Sequence, residues 1–139
     1  MAVMRRGFRR EIDVLDEIFR FLEDFVGESE IDDRAAFTIK LVVEELFTNM
    51  VRHNEGGGAE IELSIERVDH TLRLVLVDSD AEPFDPASIP APPVEAGISE
   101  RQAGGLGLYL VHTMVDDVNY EYEPKTRQMR VSVTKRLEE

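Results

Sequence analysis

Up to about His53 the apolar residues of this chain recur at helical spacing, and beyond the run Asn54-Glu55-Gly56-Gly57-Gly58 most of them alternate. Side chains repeat their direction every 3.6 residues in a helix and every second residue in a strand, so the change of period restricts the folds open to the chain. Val14, Leu15, Ile18, Phe19, Leu22, Phe25 and Val26 form one stripe, which predicts a helix over about 11–26 with Gly27 as its stop. Phe37, Ile39, Val42, Val43, Leu46, Phe47 and Met50 predict a second helix, capped by Asp32 or Asp33 and running to about His53. Ile61, Leu63 and Ile65 then alternate with Glu60, Glu62 and Ser64, the pattern of a half-buried strand. Asp69-His70 is the expected turn, and the nearly all-apolar run from Leu72 to Val77 is expected in the middle of the sheet. Leu108 to Val115 predicts a third helix, and Val118 to Glu123 and Gln128 to Lys135 two closing strands. Only Met1 to Arg10 precede the first predicted helix. The expectation is an α+β fold: a two-layer α/β sandwich whose mixed, mostly antiparallel sheet is covered by helices on one face.

The 139 residues suit a single domain over 1–139 with one core. There is no cysteine, which excludes disulfides, thiolate metal sites and a cysteine nucleophile. No apolar run follows the basic residues of the N-terminus, so no signal peptide is expected; no stretch has the length of a membrane span. These points predict a cytoplasmic protein without a membrane partner. The net charge of −13 repels nucleic acid, and no nucleic-acid partner is expected. It repels a nucleotide as well, so a nucleotide site needs local positive potential from helix N-termini, magnesium or a few arginines.

Three places carry residues suited to chemistry. Glu45 and Asn49 lie four apart in the second helix, on one face and about 6 Å apart along the axis. A carboxylate can take a proton from a hydroxyl, and a carboxamide oxygen suits magnesium. Phosphoryl transfer needs both roles beside a γ-phosphate, because its catalysis is mostly positioning and charge neutralisation. Thr38 and Arg52 flank this polar face, and His53 lies beside its last turn. The second place is Gly104-Gly105-Leu106-Gly107-Leu108, where three glycines in four residues allow close backbone approach to an anion before a helix begins. The third is the end of the strand at Val77-Asp78-Ser79-Asp80, where a carboxylate can accept a hydrogen bond from an adenine amino group. Between the last two, residues 79–103 hold five of the six prolines and show no period. Long loops of this kind are usually functional, and Glu82 to Ala103 is expected to act as a short lid, with Arg101 offsetting phosphate charge.

In this order the three places resemble the ATP-binding motifs of the GHKL (Bergerat-fold, histidine kinase-like) ATPase superfamily, and within it the anti-sigma factor serine/threonine kinases. Glu45-Leu46-Phe47-Thr48-Asn49-Met50-Val51-Arg52-His53 is similar to that group's N box, Pro83-Phe84-Asp85-Pro86 to the phrase after its G1 box, and Gly104 to Val111 to its G2 box. Met114 to Tyr120 also follows the group's habit. The resemblance implies a kinase that uses ATP and magnesium to phosphorylate an anti-sigma factor antagonist, with a sigma factor as a further partner and a homodimer as the assembly. It implies Glu45 as the proton acceptor, Asn49 as the magnesium ligand and Gly105 to Gly107 as the phosphate loop. The G1 box is Asp-x-Gly. Counted back from Pro83-Phe84 without gaps, its aspartate and glycine fall on Ser79 and Ala81, so Asp80 first and Asp78 second are the expected adenine-reading carboxylates. The departure at this box supports an alternative, a non-catalytic binding module of the same fold that sequesters a partner protein, and the retained Glu45 opposes it. The catalytic domain of a two-component histidine kinase is a weaker fit, since none of His53, His70 and His112 stands in a phosphoacceptor setting.

Overall fold

The computed structural model describes residues 2–53, 60–80 and 105–137. Strand β1 (Ala2–Arg9) leads through a 3₁₀ turn (Ile12–Val14) into helix α1 (Leu15–Ser29), then helix α2 (Asp33–His53). Strands β2 (Glu60–Val68) and β3 (Thr71–Asp78) form a hairpin, helix α3 (Gly105–Met114) follows, and β4 (Asp117–Glu123) and β5 (Gln128–Arg136) form the closing hairpin. The order across the sheet is β1-β2-β3-β5-β4, and each pairing is antiparallel. The apolar β3 is central, as its composition predicts. Met1 to Arg10, short as it is, does supply an edge strand, paired along β2 from Ala2 opposite Arg67 to Arg9 opposite Glu60.

Strand alternation decides what faces the helices. Phe8, Ile61, Leu63, Ile65, Leu72, Leu74, Leu76, Met129, Val131 and Val133 all point inward and are buried. They meet Ile18, Leu22 and Phe25 of α1 and Ile39, Val42, Val43, Leu46 and Phe47 of α2. Each such side chain taken from water contributes about 1.5–3 kcal/mol, offset by the entropy of ordering the chain. The outward residues of β2, Glu60, Glu62, Ser64 and Glu66, are polar, so the sheet buries one face against helices.

The first helix ends later than Gly27 predicts. Gly27 lies inside α1, and Glu30 takes the left-handed capping position at φ 54°, its backbone N–H donating to the Val26 carbonyl. Arg67 Nη1 caps the end from β2, donating to the carbonyls of Ser29 at 2.7 Å and Glu30 at 3.3 Å. A tertiary partner thus completes the helix end that a glycine would otherwise supply. Asp32 is the cap of α2, its Oδ1 accepting from the Ala35 N–H at 2.8 Å. Among the described residues, no helix is long and apolar enough to cross a membrane.

Candidate functional site

The expected face of α2 is present, with its members in different environments. Glu45 is half-buried, and its carboxyl is pushed above the ordinary glutamate range by burial first and by the neighbouring Glu44 charge second, against the opposing pull of Arg52. A carboxylate so placed holds a proton more readily than a solvated one, which suits a group that must accept one. Arg52 is fixed to its own helix, with Nε 3.4 Å from the Thr48 carbonyl and Nη2 3.3 Å from Thr48 Oγ1. Asn49 is 8% exposed, and its Oδ1 is buried with no hydrogen-bond partner among the described residues. A buried amide oxygen without a donor is costly unless a ligand fills the role, and a hard cation is such a ligand. The residues therefore fit magnesium as one protein oxygen, the remaining ligands coming from phosphate and water. Among the described residues no group of three or more His, Cys, Asp or Glu side chains could hold a metal alone. Thr38, read from the sequence as part of the polar face, is buried and bonds its own helix at the Arg34 carbonyl, 3.2 Å away.

At the end of β3 the two candidate carboxylates stand in different settings. Leu72, Leu74, Leu76 and Asp78 share the inward side of the strand, and Asp78 stands between Ile61 of β2 and Met129 of β5 in the ladder. Asp78 is 2% exposed, whereas Asp80 is exposed and takes a left-handed conformation at φ 53°. A glycine takes that conformation without strain, and Asp is among the few other residues that tolerate it. Asp78-Ser79-Asp80 thus has the backbone form of Asp-x-Gly, one residue earlier than a gapless count from Pro83-Phe84 gives. Asp80 is exposed, and Asp78 is the buried carboxylate.

Asp78 is held by a residue that the sequence reading missed. Arg10, just past β1, pairs through Nη2 with Asp78 Oδ1, while its Nη1 lies 3.4 Å from Asp78 Oδ2 and 3.2 Å from the Met50 carbonyl of α2. The two side chains are 8% and 3% exposed. Burial lowers the Arg10 pKa, and the nearby Asp80 charge opposes that shift. The signal was strand parity: Met4, Arg6 and Phe8 lie opposite the inward Ile65, Leu63 and Ile61, and Arg10 is the next residue of that parity.

Helix α3 opens at Gly105 rather than Leu108, so the backbone of Gly105, Leu106 and Gly107 forms its first turn instead of a loop before it. First-turn N–H groups have no partner inside the helix, so the capacity to meet an anion remains, now from the helix itself. α3 packs against α2, which places the glycine end and the Glu45–Asn49 face on neighbouring elements. His112 pairs with Tyr120, Nε2 to OH at 3.0 Å with the rings stacked, and burial raises the Tyr120 pKa to about 12. That accounts for His112 as a packing residue. The His53 side chain, Ala81, the lid over Glu82 to Ala103 with Arg101, Gly104, and the side chains of Gly105 to Leu108 lie outside the described residues.

Known proteins are similar to this chain. The histidine kinase-like ATPase domain family matches residues 8–135. The serine/threonine-protein kinase BtrW of Bordetella bronchiseptica is 29% identical over 103 residues, 73% of this chain and 72% of that protein. The serine-protein kinase RsbW of Listeria monocytogenes serotype 4a is 32% identical over 106 residues, 68% of each chain. Among solved structures, the RsbU and RsbW domains of Rv1364c from Mycobacterium tuberculosis are similar with a TM-score of 0.69 at 14% identity, covering 99% of this chain and 33% of that longer one. The SiaB-SiaC complex from Pseudomonas aeruginosa gives a TM-score of 0.56 at 14% identity, over 95% of this chain and 88% of that one. At these identities the two structures establish a shared fold.

Proposed function

This chain belongs to the histidine kinase-like ATPase domain family, and from that premise we propose that it is an ATP-dependent serine/threonine kinase of the anti-sigma type. One observation carries the reading: a half-buried Glu45 with a raised pKa stands one turn from Asn49, whose buried oxygen lacks a donor. ATP with magnesium would supply the phosphoryl group with its charge partly neutralised. Asn49 Oδ1 would hold the metal, the first turn of α3 would meet the phosphates, and Asp78 would read the base. Glu45 accepts the proton from a serine or threonine hydroxyl of the protein substrate. Arg52, anchored to Thr48, adds positive charge on the same face in a chain whose net charge is −13.

The substrate is an anti-sigma factor antagonist, whose unphosphorylated form releases a sigma factor that this protein otherwise holds. Two supports bear on this: the names of the kinases BtrW and RsbW, and the fold shared with a complex of SiaB with SiaC. Residues 1–139 act as one domain, in the cytoplasm and as a homodimer. A second reading, a binding module with a weakened nucleotide site, is favoured by one feature, the Arg10 fork on Asp78. Titration with a fluorescent ATP analogue, with and without magnesium, separates the two. The kinase reading expects magnesium-dependent binding that unlabelled ATP displaces; no binding at millimolar nucleotide would leave the binding module.

A further inference from the structure

We propose that Arg10 is a built-in competitor for the nucleotide base: its guanidinium occupies the Asp78 carboxylate, and a base is read only when this pair opens. The inference rests on the nucleotide-site reading above and adds to it a residue that sets affinity.

The inward side of β3 runs Leu72, Leu74, Leu76, and its next residue is an acid set between the buried Ile61 and Met129. A leucine there would continue the core. The carboxylate is retained at a desolvation cost that a buried ion pair repays only with good geometry. Arg10 supplies the partner, Nη2 against Oδ1 and Nη1 towards Oδ2, and Nη1 also reaches the Met50 carbonyl. Met50 is the residue after Asn49, so the guanidinium lies between the helix that would hold the metal and the strand end that would hold the base.

The Arg10 guanidinium stands against the Asp78 carboxylate, and that side chain is 3% exposed, which leaves a base no open approach. An adenine amino group is a neutral donor, and charge-assisted bonds to a guanidinium are roughly twice as strong. Base contacts alone therefore do not open the pair; the gain must come from phosphate and metal contacts at the other end of the nucleotide. Arg10 is placed to move. It lies between β1 and the 3₁₀ turn, where the Glu11 N–H closes a tight turn on the Arg9 carbonyl at 2.8 Å, and its long stem can carry the head to water. Apparent affinity is then the intrinsic affinity reduced by the fraction of molecules with the pair open.

The test is the Kd for ATP, with magnesium at pH 8, of the whole chain as wild type, Arg10→Met and Arg10→Lys. Arg10→Met should bind at least tenfold more tightly, with Arg10→Lys nearer wild type. Equal affinity of wild type and Arg10→Met would overturn the competitor while leaving the nucleotide site standing. Weaker binding by Arg10→Met would make Arg10 a positioning residue and also overturn it. No binding by either would remove the nucleotide site and the competitor with it. If Arg10→Met does not fold, arginine-detected NMR of the wild type decides. A slowly exchanging Arg10 guanidinium in the free protein that becomes mobile at saturating Mg-ATP supports the proposal, and one unchanged by nucleotide refutes it.

Discussion

Arg10→Met removes the cation from a carboxylate that is 3% exposed and flanked by Ile61 and Met129. Little solvent is available to Asp78 in exchange, so breaking this buried pair should cost about 3–5 kcal/mol. Asp78→Leu leaves the guanidinium with the Met50 carbonyl and a long stem by which to reach water, so its cost is smaller, about 1–3 kcal/mol. In the double variant neither charge is present and Leu extends the Leu72, Leu74, Leu76 row. It should lie within about 1 kcal/mol of wild type or exceed it, because a buried pair rarely outperforms well-packed apolar residues. The coupling between the sites is therefore at least about 3 kcal/mol, far beyond the few tenths seen for independent sites. Urea unfolding followed by circular dichroism measures it, with an unchanged slope on denaturant showing that the unfolded state is not the source. Additive single effects, or an Arg10→Met cost below about 1 kcal/mol, would mean that the fork does not persist in solution.

Other substitutions test the remaining assignments. Because the Glu45 pKa is raised, its contribution to stability is present below the ordinary glutamate range and lost as pH rises through the folded value. Glu45→Gln, which does not ionise, should be at least as stable as wild type near pH 8, with its advantage shrinking towards pH 4 in thermal unfolding. Asn49→Ala should weaken Mg-nucleotide binding by at least about 1–3 kcal/mol in calorimetric titration, the scale of a lost bond to a charged group. It should change stability little, since the buried Oδ1 has no donor to lose among the described residues. Asp78→Asn should reduce discrimination between ATP and GTP in competition binding, whereas Asp80→Asn should change it less, because Asp80 is exposed to water.

Much of the fold was legible because period reports which side faces the core. The strand pattern of Ile61, Leu63 and Ile65 and the apolar run from Leu72 placed β2 and β3 with their inward sides correct. The end of α1 was not legible, because its stop depends on Arg67 reaching across from β2 and on Glu30 adopting a conformation usually left to glycine. The face of Glu45 and Asn49 followed from helical spacing alone. The burial of Asp78 follows from the alternation Leu72, Leu74, Leu76, Asp78, which a count back from Pro83-Phe84 does not use. Alternation is enforced by the sheet, while spacing through a turn can shift by a residue. Arg10 was missed because its partner lies 68 residues away, and only the register of β1 on β2 brings the two together.

Glu45 is proposed to accept the proton in transfer to a protein hydroxyl, and the rate of phosphorylation of an antagonist protein reports on that role. Wild type, Glu45→Gln and Glu44→Gln would be compared under single turnover with Mg-ATP, with nucleotide binding measured alongside. A positioned base contributes about 10²–10⁴-fold. Glu45→Gln should lose that factor while still binding nucleotide, and Glu44→Gln, turned about 100° around the helix, should lose much less. Transfer at the wild-type rate by Glu45→Gln would contradict the assignment, and no transfer by wild type that binds Mg-ATP would contradict the kinase itself.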